Sequence, residues 1–264
     1  QTHTHMKTPK TEMTPQPTKR AVFTQGDKGG VGKTEVALAL ASWYRAGGIE
    51  PALLDFDIEN ANNSGFQSFF PEADKLDIHQ EGSLDAFFSA FDSGADVVLA
   101  DLAGGASNAT QAWFEEAAEY ATDMGVAFTA VGVTTNDAGS IQSILKWAGH
   151  LQHSVDYLVV LNEMRSPRCD FRYWSDDPNV AEFVKILEPV VIRMRARLEE
   201  FQAEIRNNAC TLDAIIAGEV DSKFFHYTRN IVRAKIYQRG LYEGFESARQ
   251  ILLPEDSCIQ LPLL

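Results

Sequence analysis

The chain has 264 residues with a formal net charge of −14, and 45% of its residues are apolar. That length suits one α/β domain with a sizeable core, and no apolar run approaches the roughly 20 residues needed to cross a bilayer. The acidic balance repels nucleic acid and anionic membranes, so any such contact has to come from a local basic patch.

Residues 1–18 are rich in Thr, Pro, Lys and Gln and are expected to form a disordered leader, with residues 19–264 as one domain. Arg20 to Thr24 is a β-prone run. A glycine-rich stretch follows, and then a helix pattern over 35–46 that Gly47 and Gly48 end. Ala52 to Phe56 and Asp96 to Asp101 read as short buried strands. Between them Ser83 is expected to cap a helix over 84–91, closed near Gly94. Ser107 or Asn108 opens a helix reaching about Thr122, and Val126 to Val133 reads as a strand. Asp137 or Ser140 starts a helix ending near Gln152, and Tyr157 to Leu161 reads as another strand. Asp177–Pro178 supplies a cap with proline at the first helical position, and Pro189 stops that helix. Val190 to Met194 is a last strand, 195–207 a helix, and 228–250 a long helix. Strands alternating with helices predict an α/β fold, a mostly parallel sheet covered by helices on both faces, with a helical C-terminal part.

Cys169, Cys210 and Cys258 are too widely spaced for a metal pattern and suit reduced thiols in a cytoplasmic protein. His150 and His153 share a helical spacing, but no cysteine or carboxylate cluster accompanies them.

The chemistry is concentrated in Gly26-Asp27-Lys28-Gly29-Gly30-Val31-Gly32-Lys33-Thr34, between a strand and a helix. The common phosphate-loop pattern G-x-x-x-x-G-K-[ST] fails only at its first position, where Asp27 replaces glycine. Glycines 29, 30 and 32 let backbone N–H groups face phosphate oxygens, and the helix N-terminus favours an anion. Lys33 would reach the β- and γ-phosphates, and the Thr34 hydroxyl would ligate Mg²⁺.

Lys28 to Thr34 resembles the deviant Walker A motif of the ParA/MinD family of ATPases, a likeness covering residues 19–165. The resemblance implies ATP and Mg²⁺ as ligands and an ATP-dependent homodimer in which Lys28 crosses to the partner's nucleotide. Gly29, Gly30, Val31, Gly32, Lys33, Thr34 and Glu35 would bind the nucleotide. Leu54-Asp55-Phe56-Asp57 resembles the family's D-x-D segment, with Asp55 at the magnesium shell and Asp57 orienting or deprotonating the attacking water. Asn60, Asn62 and Asn63 would lie in a switch loop. Asp101-Leu102-Ala103-Gly104-Gly105 resembles the Walker B and second switch, with Asp101 meeting magnesium through water. The family often has proline in that switch and this chain has none. Asn162 would read the adenine edge, and no N-K-x-D guanine signature is present. The runs 97–107 and 158–167 look most similar to TraL-like proteins of conjugal transfer. Together these features imply a dimerising Mg-ATP-dependent switch that positions or assembles DNA, a transfer apparatus or another cargo with an unidentified protein partner. The alternative is a metabolic ATP-dependent synthetase or ligase of the same superfamily. Arg229, Arg233, Lys235 and Arg239 could meet DNA non-specifically, but a solvated face paired with Glu243 and Glu246 is favoured. Arg193, Arg195 and Arg197 are expected at the surface of a helix start. No C-terminal amphipathic membrane helix is present.

Overall fold

A computed structural model describes residues 17–57, 65–102, 104, 108–164 and 168–255. Asn60, Asn62, Asn63, Gly105, Ser107, Cys258 and the leader up to residue 16 lie outside the described residues. Pro17 and Thr18, assigned to the leader, are instead tied to the domain. The Thr18 N–H donates to the Gly125 carbonyl (2.8 Å), and the Pro17 carbonyl accepts from the Glu255 N–H (3.1 Å).

In chain order the elements are β1 (Lys19–Gln25), α1 (Lys33–Ala46), β2 (Ala52–Asp55), α2 (Phe66–Phe69), β3 (Asp74–Lys75), α3 (Ala86–Asp92) and β4 (Val97–Asp101). Then come α4 (Asn108–Asp123), β5 (Val126–Thr134), α5 (Ala138–Leu151), β6 (Asp156–Asn162), α6 (Arg172–Ser175), α7 (Pro178–Leu187) and β7 (Val190–Met194). The chain continues through α8 (Glu199–Asn207), α9 (Leu212–Ala217), α10 (Thr228–Ser247) and α11 (Arg249–Leu252). The seven strands run in the order β3-β2-β4-β1-β5-β6-β7, and every pairing is parallel.

Alternation along β1 shows why both faces are covered. Ala21 and Phe23 enter an aromatic core with Phe87, Phe114, Phe128 and Trp147, contributed by α3, α4, β5 and α5. Val22 enters the opposite core with Leu40, Trp43 and Phe245, from α1 and α10. A third, smaller core joins Phe201, Ile205, Leu212, Ile215, Phe225 and Ala234, so α8, α9 and α10 form a helical unit beside α1. The order reverses at β1, between β4 and β5, and in such sheets the crevice at the carboxyl ends of the strands is where ligands bind.

Several caps follow the sequence reading. Asp137 accepts from the Ser140 N–H (3.0 Å), and Asp177 accepts from the Asn179 N–H (2.8 Å) with Pro178 at the first helical position. Two expectations need correction. Ser83 caps nothing: Ser83–Asp85 is a 3₁₀ turn, and α3 begins only at Ala86. The helix expected from Arg195 begins at Glu199, and residues 195–198 are in neither helix nor strand. The Leu198 N–H donates to the Tyr237 hydroxyl (3.3 Å), and Arg197 turns inward. Glu199 and Glu200 then suit the positive end of α8.

Candidate phosphate and nucleotide site

The loop between β1 and α1 lies at that switch point. Gly32 has φ 100°, and a Cβ there would stand 2.6 Å from Asn162 Nδ2, so the position requires glycine twice over. Gly30 is also left-handed (φ 70°) with open space beside it. The first intrahelical bond of α1 runs from the Val36 N–H to the Gly32 carbonyl (3.1 Å), and no side chain caps this helix. The N–H groups of its first turn are thus a ready anion site.

Lys33 is 8% exposed, and its ammonium donates to the Lys28 carbonyl (3.1 Å). Burial lowers its pKa, while the charges of Asp101, Asp57 and Asp27 oppose that shift. Lys28 is half exposed and lies 4.0 Å from Asp137, a pair worth at most about 1 kcal/mol.

Asp27, the departure from the common loop pattern, is stitched to α5. Its backbone N–H donates to Ser143 Oγ (2.5 Å), and its carboxylate accepts from Trp147 Nε1 (3.4 Å) and pairs with Lys146 (3.2 Å). Glu35 pairs with Arg197 at 2.6 Å, with side-chain exposures of only 16% and 8%. Arg197 also donates to Gln202 Oε1 (3.2 Å) and lies over the Tyr237 ring. Arg197 is therefore not a helix-start surface residue; it ties the phosphate-loop helix to the C-terminal helices.

Asp55 is completely buried. Its Oδ1 accepts from the Asp57 N–H (3.0 Å), and its Oδ2 accepts from the Gln67 N–H and from Lys75 (both 2.9 Å). Lys75 also donates to the Asp57 carbonyl, fixing the start of the segment that carries Asp57. Asp101, at the end of β4, accepts from the Thr24 hydroxyl through Oδ1 (2.7 Å), whereas its buried Oδ2 accepts from none of the described residues. Burial pushes the Asp101 carboxyl up to about 6. The Thr34 and Thr24 hydroxyls pull it down, the Asp55 charge pushes it further up, and Lys33 pulls it down. Asn162 is buried beside the loop. It donates to the Val31 carbonyl (2.9 Å) and accepts from the Met164 N–H (3.0 Å).

Lys33, Thr34, Glu35, Asp57, Gly104 and Asn162 line one side of a cavity of about 1160 Å³ that continues along α1 toward α8, α9 and α10. Lys28, Asp55 and Asp101 border the same loop but do not line this cavity. Arg197, Lys75 and Lys146 were not read from the sequence as partners of the site, because each comes from a different element and carries no motif. On α10, Arg239 pairs with Glu243 (2.7 Å), and Arg249 of α11 pairs with Glu246 (3.3 Å), as the solvated-face reading expects. No described helix is long and apolar enough to cross a membrane.

The fold and loop define a P-loop nucleotide-binding domain. Residues 22–222 match the model of the CobQ/CobB/MinD/ParA nucleotide binding domain, and the chain belongs to that family of ParA/MinD-like P-loop proteins. Among solved structures it is similar to the MinD cell division protein of Aquifex aeolicus (TM-score 0.50, 14% identity, 92% of this chain and 100% of that one). It is also similar to the MinC:MinD cell division protein complex of the same organism (TM-score 0.47, 13% identity, 93% and 98%). A third match is a ParA family ATPase from Chlorobium tepidum TLS (TM-score 0.45, 13% identity, 86% and 97%). No curated protein sequence matches the chain.

Proposed function

We propose that this protein is a Mg-ATP-dependent dimerising ATPase switch that positions or assembles a cellular cargo through a protein partner. The observation that carries the reading is the buried Asp101 carboxyl beside Lys33 and Thr34, whose Oδ2 accepts from none of the described residues, at the mouth of an uncapped helix. Magnesium suits this donor set, because a hard cation bound mainly through phosphates and water needs only one or two protein oxygens. Thr34 would ligate it, Asp101 would meet it through water, and Asp55 would help hold its shell. When bound, the ion neutralises charge on the phosphoryl group.

The remaining roles belong to the chain itself. Lys33 and the N–H groups of residues 29–35 bind and orient the phosphates. Asp57 positions the attacking water and accepts its proton. Lys28 is exposed and weakly held, so it is able to swing toward a second copy's nucleotide and stabilise the transferring phosphoryl group there. Asn162, whose amide nitrogen braces the loop through the Val31 carbonyl and whose oxygen accepts from the Met164 N–H, would have to release one of these bonds to read the adenine edge. The resemblance of 97–107 and 158–167 to TraL-like proteins supports a transfer apparatus as the cargo.

The test is mass by light scattering with ADP, with Mg-ATP, and with Mg-ATP for Asp57→Ala and Lys28→Ala. The expected result is a dimer only with Mg-ATP, persisting in Asp57→Ala and lost in Lys28→Ala. A monomer in every sample sinks the trans role of Lys28. A small-molecule substrate that raises ATP turnover without a dimer would put the synthetase reading in its place.

A further inference from the structure

Charge is unevenly distributed along the chain. No Lys or Arg lies between Lys75 and Lys146, and no Asp or Glu lies between Asp221 and Glu243. The first stretch includes α4, and the second includes most of α10. These helices cover opposite faces of the sheet. α4 packs inward through Phe114, Ala118 and Ala121, and α10 through Leu241, Tyr242 and Phe245.

The outer face of α4 carries Glu115, Glu119 and Asp123 in one i, i+4 row. Glu116 and Tyr120 form the next row, with Met124 just past the helix end. Tyr120 and Met124 are 68% and 61% exposed. None of the four acids forms an ion pair among the described residues. The outer face of α10 carries Val232, Ile236 and Gly240 in one row, flanked by Arg229 and Arg233 on one side and by Lys235 and Arg239 on the other. Val232 and Ile236 are 47% and 48% exposed. Arg229 lies over the Tyr227 ring, and Arg233 donates to Asn230 Oδ1 (2.9 Å). Of these four cations only Arg239 is ion-paired among the described residues, with Glu243.

Neither helix gains from its own charges. Acids near the C-terminal end of α4 and cations near the N-terminal end of α10 carry the sign that each helix dipole opposes. The last turn of α4 has no basic residue and the first turn of α10 no acidic one. Gly240 is a further local cost, because glycine inside a helix weakens it. Gly244 is explained by Ile192, which a Cβ there would meet at 3.2 Å, but a Cβ on Gly240 would meet nothing within 4 Å. A side chain of a second helix seated over Gly240 accounts for the glycine.

We propose that α10 of one copy docks on α4 of a second copy. Val232, Ile236 and Gly240 receive Tyr120 and Met124, and the α10 cations meet Glu115, Glu116, Glu119 and Asp123. The two surfaces lie on opposite faces of the sheet, so each contact leaves one α10 and one α4 free, and copies add head to tail in an open chain. The contact uses no residue of the phosphate loop and does not rest on the switch reading. Its ion pairs are exposed, so it weakens with salt.

The test is sedimentation equilibrium of the full chain in EDTA without nucleotide, at about 50 mM and about 500 mM salt. At low salt the expected mass rises with protein concentration without levelling at two copies, and high salt weakens the association about tenfold or more. Arg229→Glu with Lys235→Glu, and separately Glu119→Lys with Asp123→Lys, should each stay monomeric alone. Both reversals suit their own helix dipoles, so the variants should stay folded. An equal mixture of the two variants should recover association, because reversed α10 then meets reversed α4. A native chain that stays monomeric at low salt, a mass that levels at a closed dimer, or a mixture that stays monomeric overturns the contact. Binding of a labelled DNA duplex of about 20 base pairs that disappears in the α10 variant, with no self-association of the native chain, gives the face to nucleic acid instead. The ATP-dependent dimer, measured in high salt on both variants, tests the switch reading by itself, so the two can fail separately.

Discussion

Replacing Asp101 by Asn tests the electrostatics of the site without needing turnover. Its carboxyl is completely buried, and its pKa is raised from 3.8 to about 6. At about 1.36 kcal/mol per pH unit, that raised value means that keeping this group ionised costs the fold on the order of 3 kcal/mol at alkaline pH. The sign follows from the raised value. The folded state holds the proton more tightly than the unfolded one, so its advantage is complete below pH 3.8 and is lost as pH rises through about 6. From pH 5 to pH 8 the native protein should lose on the order of 1 kcal/mol relative to Asp101→Asn, whose amide does not titrate. Comparing the two proteins across pH cancels the fixed cost of the amide. The assay is urea unfolding in EDTA at pH 5, 6, 7 and 8. Parallel pH profiles for the two proteins would refute the reasoning. Adding Mg-ADP should then stabilise the native protein more at pH 8 than at pH 5 and should have much less effect on the variant.

Other expected outcomes probe the remaining parts of the site. Lys33→Ala should weaken ATP binding by about tenfold to a hundredfold in calorimetry, the loss of one charged contact to phosphate. Gly32→Ala should destabilise the fold by at least about 1–3 kcal/mol in denaturant melts, because it combines a left-handed φ with a 2.6 Å approach to Asn162. Lys28→Ala should change unfolding free energy by less than about 1 kcal/mol, since its pair with Asp137 is long and exposed. Arg197→Met should cost about 1–3 kcal/mol by leaving the part-buried Glu35 unpaired, and Glu35→Gln in the same chain should recover most of it in a double-mutant cycle.

The fold was legible where signals are local. The strand, glycines and helix of residues 19–46 announce themselves in order, and the apolar runs ending at Asp55 and Asp101 place both aspartates at strand ends. Asp137 and Asp177–Pro178 mark helix starts by cap chemistry alone. What escaped has a common cause. α2 and α6 have four residues each, β3 has two and α9 has six, too few for a periodicity to register. Arg197 looked like one of three alternating surface arginines, and only the packing of α1 against α10 turns it toward Glu35. Lys146 stands 119 residues from Asp27, and no motif links them.

These long-range partners explain how an acidic chain tolerates so many carboxylates around an anion site. Asp27 would repel phosphate, but it is neutralised by Lys146 from α5. Glu35 sits one residue past Thr34 on the same helix, and Arg197 compensates it. Asp55 is paired with Lys75 from β3. Each cation comes from outside the loop, so the loop's own charges, Lys28 and Lys33, are not consumed by these pairs. Of these four acids Asp101 alone makes no ion pair among the described residues, and burial drives its carboxyl toward protonation. A positive charge arriving with the phosphates would supply what Lys146, Arg197 and Lys75 supply elsewhere. On this reasoning magnesium and nucleotide should bind with positive cooperativity, nucleotide affinity in calorimetry rising on adding Mg²⁺ and rising much less in Asp101→Asn.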